Sequence, residues 1–106
     1  MTFLKIGELE EREMIPGAFG RFMHTDNLTV AHWRFTRGAE LPEHSHPHEQ
    51  VTQINEGEFE FTLDGETRIL TAGDVAVVPP YAVHSGQAIE DCFIFDVFHP
   101  SRDDFK

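Results

Sequence analysis

Residues 58–70, EFEFTLDGETRIL, constrain the fold more than any other stretch of the chain. Phe59, Phe61 and Leu63 alternate with Glu58, Glu60 and Thr62, the period-2 pattern of a strand with one face buried and the other in water. Asp64-Gly65 follows and then a second run, Thr67 to Leu70, so the stretch predicts a β-hairpin closed by a tight turn. The same rhythm recurs along the chain. Strands are expected at Val51 to Ile54, Glu58 to Leu63, Thr67 to Leu70, Val75 to Val78 and Cys92 to Phe98, punctuated by turns at Asn55 to Gly57, Ala72 to Asp74 and Pro79-Pro80. Upstream, GRFMHTDNLTVAHWRF reads as two strands joined at Thr25 to Asn27, and Ile15-Pro16-Gly17 reads as a turn. Leu4 to Glu10 suits a short strand or a single helical turn. No room is left for a long helix. The pattern predicts an all-β sandwich or barrel, and 106 residues supply one domain, spanning 1–106.

Charge and cysteine content narrow the setting. Eight basic against 19 acidic residues give a formal charge of −11, which argues against nucleic acid and against an anionic membrane surface as partner. No stretch approaches the roughly 20 apolar residues of a spanning helix, and the N-terminus lacks the pattern of a secretory signal. A cytoplasmic protein is the expectation. The single cysteine, Cys92, beside the apolar Phe93-Ile94-Phe95, reads as a small buried hydrophobe. Thr29, Ala31, Trp33 and Phe35 share one face of their strand, so Trp33 is read as core or interface and His32, on the other face, as surface or interface. Exposed apolar strands such as this one suggest a homodimer.

The chemistry is concentrated in Gly38 to Gly57, GAELPEHSHPHEQVTQINEG. His44 and His46 are two residues apart, which on an extended strand puts both imidazoles on one face, with Gln50 at the same parity. Two imidazoles on one face can share a metal ion. His84 is the expected third donor, because the Pro79-Pro80 corner just before it fixes its direction. His48 and His99 read as solvated. Asp96 lies in the otherwise apolar run FIFDVF, either at a sheet edge in water or turned into the barrel toward the metal. Arg102 follows the Pro100 corner; it either pairs with Asp103 or Asp104 at the surface or folds back to clamp a carboxylate.

These residues resemble the cupin superfamily. Its first motif is filled by Gly38, His44, His46, Gln50 and Gly57, and its second by Gly73, Pro79 and His84, with Tyr81 replacing a glycine and Ala88 an asparagine. The resemblance implies a small jelly-roll β-barrel with a metal in its mouth. Gln50 stands where cupins usually carry glutamate, and it is preferred over Glu49 because it keeps both the distance to Gly57 and the parity with His44 and His46. Three neutral imidazoles and a carboxamide leave the full charge on a divalent ion, which suits Lewis-acid work on an anionic, oxygen-rich substrate. One ion per chain is expected, with zinc, nickel, manganese and iron all chemically acceptable.

HSHPHEQ together with the closing pattern of Asp96, Val97, Phe98, Pro100, Arg102, Asp104 and Phe105 is similar to the KdgF-type small cupins, which linearise 4,5-unsaturated monouronates released from pectin and alginate. That resemblance implies a metal on His44, His46, Gln50 and His84. It also implies substrate contacts from Phe98 and Arg102, catalytic roles for Asp96 and Arg102, and a small anionic sugar as substrate. Gln53 departs from it, standing where many relatives have an aromatic residue. A dioxygenase or isomerase acting on another small acid, and a non-catalytic sugar- or metal-binding barrel, are the alternatives.

Overall fold

A computed structural model describes residues 2–106. Ten antiparallel strands form two sheets: β1 (Arg12–Ile15), β2 (Ala18–His24), β3 (Thr29–Phe35), β4 (Glu40–His44), β5 (Glu49–Glu56), β6 (Phe59–Leu63), β7 (Glu66–Leu70), β8 (Val75–Val78), β9 (His84–Ala88) and β10 (Cys92–His99). Six strands in the order β1-β2-β3-β10-β5-β8 face four in the order β4-β9-β6-β7. Strands that are neighbours in sequence therefore often lie in opposite sheets. This is the jelly-roll arrangement expected, and the only helical pieces among the described residues are single 3-10 turns at Ile6–Glu8 and Asp103–Phe105.

The hairpin at residues 58–70 forms as its alternation requires. Phe59 and Phe61 are 2% and 5% exposed, and Asp64 and Gly65 take φ of 48° and 82°, both positive, as a two-residue turn matched to strand twist demands. The inward residues of both sheets meet in one core of Phe35, Ile54, Phe59, Phe61, Leu70, Val78, Cys92 and Ile94 with smaller neighbours. A smaller second cluster of Phe22, Ala31 and Phe98 closes one end, with Met14, Trp33 and Phe105 packed on it. Gly86 in β9 makes room for the core: a Cβ there would lie 2.2 Å from the Phe59 ring.

Three strands were not anticipated from sequence. β1 and β4 are only four and five residues long, and β9, HSGQA, has no β-branched residue and no Phe, Tyr or Trp; tertiary pairing with β6 and β4 makes it a strand. β5 begins two residues before the expected Val51, and Leu4 to Glu10 contains the 3-10 turn Ile6–Glu8. Cys92 is fully buried, and burial pushes its thiol pKa up.

Candidate metal centre and carboxylate wall

The strand premise behind the His44, His46 and Gln50 grouping is corrected by the topology. His44 ends β4 in the smaller sheet, Gln50 lies in β5 in the larger one, and His46 sits in the crossing between them. The three side chains converge because the chain changes sheets between them, and shared strand parity plays no part. Glu49 is exposed whereas Gln50 is 4% exposed and faces inward. His84 opens β9 directly opposite His44 in the ladder. The two motifs are fastened together by the backbone: the Tyr81 N–H donates to the His46 carbonyl at 2.8 Å. Tyr81 has φ of 66°, a left-handed conformation that explains why a glycine suits this place in the motif.

The imidazole geometry fits a metal ion. One ring nitrogen each from His44, His46 and His84 lie within 4.8 Å of one another. Backbone carbonyls set two of the tautomers: His44 Nδ1–H donates to Pro42 at 2.7 Å and His84 Nδ1–H to Ala82 at 2.9 Å, leaving both Nε2 lone pairs free. His84 Nε2 and His46 Nδ1 are buried without a hydrogen-bond partner among the described residues. His46 Nε2 lies 3.0 Å from Gln50 Oε1, a spacing that suits a hydrogen bond or two donors about 2.1 Å from a common ion. Gln50 is itself fixed by donating to Thr52 Oγ1 at 2.8 Å. Burial is the largest influence on His46 and His84; it lowers His46 to about 4, helped by the Arg102 charge, and lowers His84 as well. Both are thereby kept neutral and ready to donate to a cation.

Asp96 lies across from this group. β10 is paired on both sides, by β3 and β5, so Asp96 is in the sheet interior and not at an edge. It is 7% exposed, its Oδ1 has no hydrogen-bond partner among the described residues, and its register partners are Thr52 and Ala31. Burial pushes its carboxyl up to about 6, against the smaller pull of Thr52, Trp33, the Arg102 charge and Gln50. Arg102 pairs with Asp104, one of its two expected partners, but not at the surface. It is 8% exposed at the mouth, and it pairs with Asp104 through Nε to Oδ1 at 2.9 Å and Nη2 to Oδ2 at 2.7 Å. Its guanidinium carbon stands 4.8 Å from the Phe98 ring and 4.0 Å from the Phe105 ring.

A cavity of about 300 Å³ joins the two sides. His44, Gln50, Asp96, Phe98 and Arg102 supply its chemistry, while Met14, Ile15, Leu41 and Phe105 supply an apolar wall. Trp33 packs on both core clusters, as its parity predicts, and also lines this cavity beside Asp96. Because Trp33 points inward, it contributes nothing to an outer apolar face. His48, read as solvated, is half-buried with its ring 5.3 Å from that of His46, whereas His99 is exposed. Sequence reasoning passed over Thr29, whose buried hydroxyl accepts the Arg102 backbone N–H at 2.7 Å; only its parity with Ala31 and Phe35 signalled burial.

A two-sheet jelly roll carrying three histidines that could hold a metal within a mouth is a cupin arrangement, and residues 31–98 match the cupin domain model. The chain belongs to the cupin family. It is 32% identical over 83 residues to the pectin degradation protein KdgF of Dickeya dadantii (strain 3937), covering 76% of each. Among solved structures it is similar to KdgF from Halomonas sp., with a TM-score of 0.94, 34% identity, and coverage of 100% of this chain and 99% of that one. An RmlC-like cupin from Shewanella frigidimarina NCIMB 400 is similar at a TM-score of 0.95 and 32% identity, over 100% and 96% of the two chains.

Proposed function

We propose that the protein opens cyclic 4,5-unsaturated monouronates to the linear keto-uronate. The observation that carries this reading is one small cavity lined by His44 of the three-histidine group, by Asp96 with its buried, unpartnered Oδ1, and by Arg102. The likeness to KdgF, named for pectin degradation, supports the substrate class. About 300 Å³ is at the small end of ligand cavities and suits a single sugar ring.

His44, His46, His84 and Gln50 would hold a divalent ion, which when bound supplies Lewis acidity toward a substrate oxygen. Gln50 is uncharged and would cancel less of the ion's charge than a carboxylate in its place. Arg102 holds the substrate carboxylate with its planar fork. Phe98 lies under that guanidinium and gives the ring an apolar floor. The net reaction is an isomerisation: the anomeric hydroxyl loses a proton, the C1–ring oxygen bond breaks, and C4 gains a proton as the enol becomes a ketone. Asp96 is the group that moves the proton. With its carboxyl raised to about 6, it both accepts and donates near neutral pH.

The test is incubation of the purified, metal-loaded protein with the products of pectate and alginate lyases while following absorbance of the conjugated double bond. Loss of that absorbance without oxygen uptake is expected. A stable absorbance in both mixtures contradicts the proposal, and oxygen consumption would move the protein to the dioxygenase class.

A further inference from the structure

The closing Asp104-Phe105 pair has no part in the chemistry above, yet it holds more of Arg102 than any other segment does. The bidentate pairing uses the Nε and Nη2 side of the guanidinium, and Phe105 covers one of its faces at 4.0 Å. The other aromatic contact is Phe98 at 4.8 Å. Held in this way, the guanidinium has one edge left, the Nη1 and Nη2 edge, with N–H groups still to donate. Arg102 also lines the cavity, so a free edge is available to a ligand there. The cradle is anchored independently of Arg102's own side chain. The Arg102 backbone N–H is bound by Thr29, the Arg12 guanidinium donates to the Phe105 carbonyl, and the Phe105 ring packs on Phe22 at 4.8 Å and on Phe98 at 5.7 Å. Asp104 itself is 56% exposed in its side chain, so it is placed by the 3-10 turn that carries it and not by burial.

We infer that Asp104 is a positioning residue for the known charge at the mouth: its carboxylate occupies one edge of the Arg102 guanidinium and turns the other edge toward the carboxylate of the bound uronate. A guanidinium is a planar fork that can take one carboxylate on each of two edges at once, which an ammonium cannot do. Asp104 thus acts on substrate affinity through Arg102, with no contact of its own to the reacting atoms. The Arg102 pairing also keeps the Asp104 carboxyl below the ordinary range, so this acid stays ionised under working conditions. The inference rests on the reading of Arg102 as a carboxylate clamp.

The test is a double-mutant cycle between D104N and two Arg102 variants, R102A and R102K, the second retaining charge and length in case the first fails to fold. Two readouts are taken: KM and kcat for the unsaturated monouronate, and the Kd of saturated galacturonate, which cannot undergo the reaction, by calorimetry. D104N alone is expected to raise KM and the galacturonate Kd about three- to tenfold with kcat within about twofold, a size in keeping with a half-exposed ion pair. In the R102A background D104N is expected to change nothing further, because the interaction it removes is already gone, and in R102K it is expected to raise neither value, because an ammonium has no second edge to be turned toward the ligand. Equal fold-changes with and without Arg102 would overturn the inference, as would unaltered affinity in D104N where R102K binds poorly. Unaltered affinity in both Arg102 variants would instead take down the clamp reading, and the inference with it. Absence of turnover in wild type, with galacturonate binding that still depends on Arg102 and Asp104, would sink the proposed reaction while upholding this inference.

Discussion

His84 and Asp96 are both buried polar side chains in the same lumen, 1% and 7% exposed, and burial acts on them in opposite directions. Loss of water disfavours the charged form of each, which lowers the imidazole and raises the carboxyl. For His84, and likewise for His46, the result is a ring kept neutral with a nitrogen that has no hydrogen-bond partner among the described residues. On the β10 side it is a carboxyl that keeps a proton closer to neutrality. One physical cause therefore yields two unlike groups, and the difference between them comes from residue type alone. Strain or special backbone geometry at the two residues is not needed.

The sharpest way to break this division is on the imidazole side. His44→Ala together with His84→Ala should leave no bound divalent ion and no activity above background; full occupancy by elemental analysis would remove these residues from the site. Next in size is Asp96→Asn, which keeps shape but loses the titrating proton. We expect metal content to stay at the wild-type level while turnover falls by roughly a hundredfold or more, the usual weight of a general acid–base group. A variant that loses metal in parallel with activity would show that the two sides do not act separately.

Arg102→Ala should raise KM by roughly tenfold or more and lower kcat less, because a carboxylate clamp acts on ground and transition states alike. A normal KM with a collapsed kcat would place Arg102 in the proton chemistry instead. The smallest effect concerns stability without metal. A raised carboxyl favours folding at low pH, and that contribution is lost as pH rises through about 6. The shift from 3.8 to about 6 corresponds to roughly 3 kcal/mol of charged-form penalty at pH 8. Metal-free Asp96→Asn should therefore melt higher than wild type at pH 8, with the gap closing by pH 4. Equal melting temperatures at both values would mean that the Asp96 charge is compensated.

The hairpin and the histidines were legible in the sequence for different reasons. Phe59 and Phe61 alternate with charged residues, so their faces follow from the strand period alone. His44, His46 and His84 do meet in space although the local premise of one shared strand fails, since a pattern of spacing cannot show that the chain leaves one sheet at His44 and enters the other at Glu49. β9 escaped notice because its strand character is conferred by β6 and β4 and not by its own composition. The orientation of Asp96 was open in the sequence because only the pairing of β10 on both sides excludes an edge. Asp104 was one of two partners the sequence offered for Arg102, but the anchoring of that cradle was hidden for a related cause: it comes from Phe22, Thr29 and Arg12, all more than 70 positions earlier in the chain.

Delivery of the proton to carbon by Asp96, with the ring held in one orientation, can be followed by turnover of the unsaturated monouronate in D2O, with the first product quenched early and read by NMR at C4. Because Asp96 stands on one wall of the cavity, deuterium that it takes up from solvent should enter a single one of the two C4 positions. Equal labelling of both positions in that earliest product would mean that the enol leaves the site and takes its proton from bulk water, which contradicts the assignment of Asp96.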